Sequence, residues 1–143
     1  MFKKIIYLAV ITLFMSCKTD DGAPDCSAVS CAAPVVIVNF IDEATNENYI
    51  LKNNITKADI QIQNGVNNQP DLIFDETTGI LFISRISNGD TLQIDINNNV
   101  STNISYTVGN PKTNGCCDFG TLENVMVENK TFQVDNDTVT VYL

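Results

Sequence analysis

The sequence predicts an all-β protein, an antiparallel sandwich of about 7–10 short strands. Three observations predict it. Apolar residues alternate with polar ones at period two in one run after another. Asn, Gly and Asp separate these runs at the spacing of short turns. No stretch carries three turns of amphipathic helix, and the nearest to one, Ile41–Asn48, has too few apolar residues.

The β texture begins at Val35. Expected strands are Val35–Ile41, Asn48–Leu51, Ala58–Gln63, Asp71–Phe74, Ile80–Ile86, Thr91–Ile96, Ile104–Val108, Val125–Glu128, Thr131–Val134 and Thr138–Leu143. Ile60 and Ile62 point one way while Asp59, Gln61 and Gln63 point the other. Leu92, Ile94 and Ile96 repeat this against Gln93 and Asp95. Asn64-Gly65, Asn88-Gly89 and Asn114-Gly115 offer positive-φ residues for turns. Thr78-Gly79 closes the turn before Ile80, and Glu128-Asn129-Lys130 reads as a hairpin between the flanking strands.

The first 17 residues read as an address. Lys3 and Lys4 precede an apolar run from Ile5 to Met15, too short to span a bilayer, which needs about 20 residues. Phe14-Met15-Ser16-Cys17 resembles the lipobox of bacterial lipoproteins, with Phe14 where Leu is usual, a departure found in the Bacteroidota type. The resemblance implies cleavage before Cys17, acylation of Cys17 (palmitate among the acyl chains) and anchoring in the outer membrane. Lys18-Thr19-Asp20-Asp21 resembles the surface-export signal of the same lipoproteins, which implies display at the cell surface, with the periplasmic face as the alternative. The expected organisation is therefore a signal peptide at 1–16, a lipidated flexible tether at 17–31 and a sandwich domain at 32–143. Losing residues 1–16 removes two lysines and no acid, so the net charge moves from −9 to −11.

A fainter resemblance concerns the domain. Residues Phe40 to Asn48 followed by Ala58-Asp59-Ile60-Gln61-Ile62 are similar to the opening of carboxypeptidase-regulatory-like, or prealbumin-like, sandwiches. Asp75 to Phe82, with Asn88-Gly89-Asp90-Thr91-Leu92-Gln93-Ile94, is similar to their later hairpin. This implies an Ig-like or prealbumin-like sandwich.

Composition narrows the function. The chain has no histidine, which removes Ser-His-Asp, Cys-His and H-E-x-x-H chemistry. Its 17 acidic and 8 basic residues argue against nucleic acid as a partner. The carboxylate pairs Asp42/Glu43, Asp75/Glu76 and Asp135/Asp137 fall in expected turns, so they read as solvated loop acids. Asp135-Asn136-Asp137 groups three oxygen-bearing side chains but lacks the glycine and distal glutamate of a calcium loop, so an ordinary turn is expected there. No metal and no cofactor are expected, and the chain reads as a non-enzyme.

With Cys17 acylated, Cys26, Cys31, Cys116 and Cys117 remain, an even number in an oxidising compartment. A vicinal Cys116–Cys117 bond would be strained and would close almost no loop. Adjacent cysteines without a C-x₂-C spacing are poor zinc ligands. The favoured arrangement joins Cys26 and Cys31 to Cys116 and Cys117, in an order left open. Each bridge would close about 85–90 residues, worth up to about 4–5 kcal/mol.

Three further sites stand out. Asp90-Thr91-Leu92 and Asp137-Thr138-Val139 resemble the acceptor triplet for O-glycosylation in the same lipoproteins, which makes Thr91 and Thr138 candidate acceptors. Cys116-Cys117-Asp118-Phe119-Gly120 reads as a disulfide-stapled loop with Phe119 as a core aromatic, or as a rigid loop that presents Phe119 to a partner. The resulting expectation is a membrane-anchored, non-catalytic binding or structural accessory module with a protein or glycan partner. The alternative is an inhibitor that acts through the 109–120 loop.

Overall fold

The computed structural model describes residues 25–65, 69–85, 89–113 and 115–143. The fold is an all-β sandwich. Its strands are β1 (Val35–Ile41), β2 (Ile60–Asn64), β3 (Leu72–Asp75), β4 (Ile80–Ser84), β5 (Gly89–Ile96), β6 (Val100–Val108), β7 (Leu122–Val127), β8 (Thr131–Asp135) and β9 (Thr138–Tyr142). One sheet has the order β3-β4-β1-β9-β8 and the other β2-β5-β6-β7. Strands β1 and β9 lie side by side and parallel, with Val38 opposite Val139, while the other strand pairs are antiparallel.

Alternation fills the space between the sheets. Val36, Val38 and Phe40 of β1, Leu81 and Ile83 of β4, and Val139 and Val141 of β9 are fully buried. They face Ile60, Ile62, Leu92, Ile94, Ile96 and Ile104 from the other sheet. At about 25 cal/mol per Å² of apolar surface, this layer is the main force for folding.

Nine of the ten expected strands form, with ends shifted by a few residues. Ile86, the expected end of β4, lies outside the described residues. Asn48–Leu51 is not a strand. Tyr49–Lys52 forms a single helical turn, α1, because the Asn48 side chain accepts the Leu51 N–H at 2.9 Å. Asn54 ends the turn in the left-handed region (φ 51°), with Asn54 N donating to Leu51 O and Ile55 N to Ile50 O, a Schellman arrangement. Burial of Ile50 and Ile55 then holds the turn against the core.

The turn between Val127 and Thr131 is also not a hairpin. It carries the chain from one sheet to the other, since β7 pairs with β6 and β8 pairs with β9. Of the three expected Asn-Gly turns, Gly89 alone has a positive φ, at 106°, while Asn88 and Asn114 lie outside the described residues. Asparagines elsewhere take the left-handed positions instead: Asn46, Asn54, Asn97, Asn98, Asn124, Asn129 and Asn136. The pair Asn97-Asn98 makes the tight turn from β5 to β6, closed by Asn99 N donating to Ile96 O at 3.0 Å.

Candidate functional site

One end of the sandwich gathers the lead-in before β1, the end of β4, the β8–β9 turn and the long β6–β7 connection, residues 109–121. Loops of this length in a small domain are uncommon unless they carry a function. Two disulfides clamp the lead-in to the loop, Cys26–Cys116 and Cys31–Cys117, each with a Cα–Cα distance of 5.4 Å. The long-range pairing expected from the cysteine positions is present, in this order.

Arg85 is the centre of this end, and it is the sole arginine of the chain. It follows β4, where the alternation of Ile80–Ser84 runs out. Its backbone N donates to Pro34 O at 3.0 Å, which ties it to the lead-in. Its side chain is only 2% exposed and forms an ion pair with Asp137 of the β8–β9 turn, Nη1 to Oδ1 at 3.0 Å. Nη2 donates to the carbonyls of Phe119 and Gly120 at 2.9 and 3.0 Å. Asp137 Oδ1 also accepts the Leu122 N–H at 3.2 Å, and the Asp137 carbonyl accepts Ile37 N–H at 2.8 Å. One planar fork thus joins both sheets, because a guanidinium can direct several fixed donors at once.

Within the loop, Asp118 has the organising role. Its Oδ2 accepts from Lys112 N, Thr113 N and Thr113 Oγ1 at 2.9, 2.7 and 2.9 Å, and its Oδ1 accepts from Gly120 N at 3.0 Å. These donors hold its carboxyl below the ordinary 3.8, the Gly120 N–H foremost. Gly120 has φ +72°, and a Cβ there would run into the Gly109 carbonyl oxygen, so the loop base closes only around glycine. Gly109 N donates to Thr121 O at 2.9 Å across the same base. Phe119 is left 41% exposed at the rim of an open depression also bordered by Pro34, Thr113, Cys117, Asp118 and Asp137.

The other sequence candidates lie apart from one another. Thr91 is exposed on the outer face of β5, and Thr138 is half-buried at the start of β9. The carboxylates of the 135–137 turn are engaged within the protein, Asp137 by Arg85 and Asp135 by the Asn136 side chain. Asp42 pairs with Lys52 at 2.7 Å, and Asp75 caps its own turn through Thr77 and Thr78. Among the described residues no group of acids or cysteines is placed to hold a metal ion. Cys17 and residues 1–16 lie outside the described residues. Arg85 escaped the sequence reading. Its one signal was a lone arginine closing an apolar strand, since its partners are 34, 35 and 52 residues away along the chain. The chain matches no protein-family model, no curated protein and no solved structure.

Proposed function

We propose that this chain is an outer-membrane lipoprotein, acylated at Cys17 and displayed at the cell surface, that works as a non-catalytic binding module. The observation that carries the binding role is Phe119, a large aromatic left 41% exposed on a loop fixed by two disulfides, Arg85 and Asp118. A contact surface already ordered before binding loses little conformational entropy on association. Asp118 takes four hydrogen bonds from within the loop, which supports a stable recognition surface rather than a protruding inhibitory strand. Support for the anchor is the Lys3-Lys4, apolar run and Ser16-Cys17 series. Acyl chains on Cys17 at about 0.8 kcal/mol per buried CH₂ make a firm attachment without a spanning helix.

Two measurements test the reading. Intact-mass analysis of the exported protein is expected to find the chain beginning at an acylated Cys17, and an unmodified Cys17 overturns the anchor. A photo-reactive residue at position 119, in the producing cell, is expected to trap a protein or glycan that the same residue at position 73 does not trap. Equal trapping at both positions, or none at 119, overturns the binding role.

A further inference from the structure

A sheet that covers a core on one side ordinarily turns polar residues outward on the other. The sheet β2-β5-β6-β7 does so. Its outward rows read Gln61–Asp95–Ser101 and Gln63–Gln93–Asn103, and the Asn103 amide donates to the Glu128 carboxylate at 2.7 Å. The other sheet departs from this on its β3-β4-β1 half. Ile73, Phe82 and Ile37 stand outward in one row by register, with Val35 and Ile80 outward on either side of it. Ile73 is 66% exposed. The borders are polar: Ser84 lies opposite Val35, Thr138 lies beside Ile37, and Asp75 opposite Ile80 is drawn into its own turn by Thr77 and Thr78. A contiguous apolar patch of this kind marks a surface that meets something other than water.

Two observations say what covers it. The first is the reach of the chain outside the structure. From Cys17 to Asp25 is eight residues, at most about 28 Å when fully extended. Cys26 is then fixed to Cys116, and the lead-in ends at Pro34, whose carbonyl accepts the Arg85 N–H directly before Val35. An acylated Cys17 therefore keeps the end of the sandwich where the patch starts within a short tether of the lipid. Tethers of this length give effective concentrations on the order of millimolar, so even a weak apolar contact is populated. The second observation is where the charge lies. The chain from Cys17 onward carries net charge −11, yet Val35, Ile37, Ile73, Ile80 and Phe82 hold none of it, while Asp95 and Glu128 lie on the opposite outer face. The patch is the side that can approach a lipid surface without bringing carboxylates to it.

We infer that the outward face of β3-β4-β1 lies against the lipid surface that holds Cys17, an inference that rests on the anchor proposed above. Val35, Ile37, Ile73, Ile80 and Phe82 then leave water at the lipid interface, and the polar face of β2-β5-β6-β7 is turned away from it. The contact is made by apolar side chains alone and depends on the tether for its occupancy.

The chain has no tryptophan, so a single introduced one reports on its own surroundings. Ile73→Trp and Gln61→Trp place it at exposed positions on the two outer faces, where neither change disturbs the core. Each exported full-length protein, with acylation of Cys17 checked by intact mass, is reconstituted into phosphatidylcholine vesicles brominated on the acyl chains near the headgroup. Tryptophan at 73 is expected to emit further to the blue and to be quenched by bromine several-fold more strongly than tryptophan at 61. Equal quenching at the two positions in acylated protein overturns the inference and leaves the anchor standing. A blue shift at 73 without bromine quenching also overturns it, and assigns the face to a second copy of the chain. An unacylated Cys17 overturns the anchor and this inference together, because the short tether begins there.

Discussion

At the residue scale, Arg85 and Asp118 illustrate two ways of using a charge. Arg85 is buried, and its two terminal nitrogens reach three acceptors while its Nε has no partner among the described residues. Arg85→Ala would take the guanidinium from the Phe119 and Gly120 carbonyls and leave Asp137 with the Leu122 N–H. An expected cost of about 3 kcal/mol, read by urea unfolding, follows from losing a buried charged hydrogen-bonding group. Arg85→Lys should restore only part of it, since an ammonium lacks the planar fork that reaches both sheets. Asp118 is solvent-facing and acts through its acceptors. Its folded carboxyl titrates below 3.8, as do those of Asp42, Asp59 and Asp75, which are held down chiefly by side-chain hydrogen bonds from Lys52, Thr56 and Thr78. The folded state therefore binds protons less readily than the unfolded chain in that range. The stabilisation is fully present above 3.8 and fades as pH falls through the lowered folded values. Unfolding midpoints should be insensitive to pH near neutrality, where these groups contribute fully, and drop in acid. Asp118→Asn should lower the neutral midpoint and make the acid drop shallower; an unchanged acid limb would remove Asp118 from the account. None of this was legible from the sequence at Arg85, whose partners are distant along the chain. Asp118 was noticed only as part of an unusual string.

At the element scale, the strands were legible because burial on one face leaves a period-two record in the residues themselves. Ile60 and Ile62 are buried while Gln61 and Gln63 are exposed, as are Gln93 against Leu92 and Ile94. The failures are local chemistry overriding that record. Asn48 to Leu51 has strand-like residues, yet one side-chain cap and one left-handed Asn54 make it a helical turn. The β7–β8 turn uses the same residues as a hairpin turn, so nothing local distinguishes pairing from crossing. Asparagine, not glycine, carries most of the sharp bends, and the clearest test is the β7 bulge. Asn124 has φ 49°, and its side-chain amide donates to Thr107 Oγ1 at 3.0 Å. Asn124→Val should cost about 1–2 kcal/mol, since β-branched residues resist this region, while Asn124→Gly should be close to neutral. Gly120→Ala should cost at least as much, because it adds a collision with the Gly109 carbonyl to the φ penalty. Thermal unfolding of the three variants ranks them; equal effects from valine and glycine at 124 would contradict a conformational cause.

At the scale of the whole molecule, the two disulfides are not two equal contributions. They span 90 and 86 residues, but they connect nearly the same two places. Once Cys26–Cys116 has formed, Cys31–Cys117 closes only a ring of about seven residues, worth about 2 kcal/mol in the chain-entropy model. Removing one bridge should therefore cost about 2 kcal/mol, while removing both should approach 7 kcal/mol as an upper bound. Variants lacking Cys31 and Cys117, and variants lacking all four cysteines, compared by denaturant midpoint, check this ratio. Two equal, additive losses would mean that the bridges act independently. The even count of four cysteines after Cys17, two before β1 and an adjacent pair late in the chain, made the cross-connection legible in advance. The unequal energetic shares came into view only when both bonds were seen at one end of the sandwich.

The clamp also sets a route for mechanical load. Tension applied at Asp25 enters at Cys26 and crosses to Cys116 before it can act on β1. Strand β1 sits in the middle of its sheet, between β4 and the parallel β9, so peeling it away would open the core. With both bridges intact, the pull is delivered to the β6–β7 loop and shared with the second sheet. With both reduced, the stretch from Cys26 to Pro34 can straighten to at most about 30 Å, and the load then falls on β1 directly.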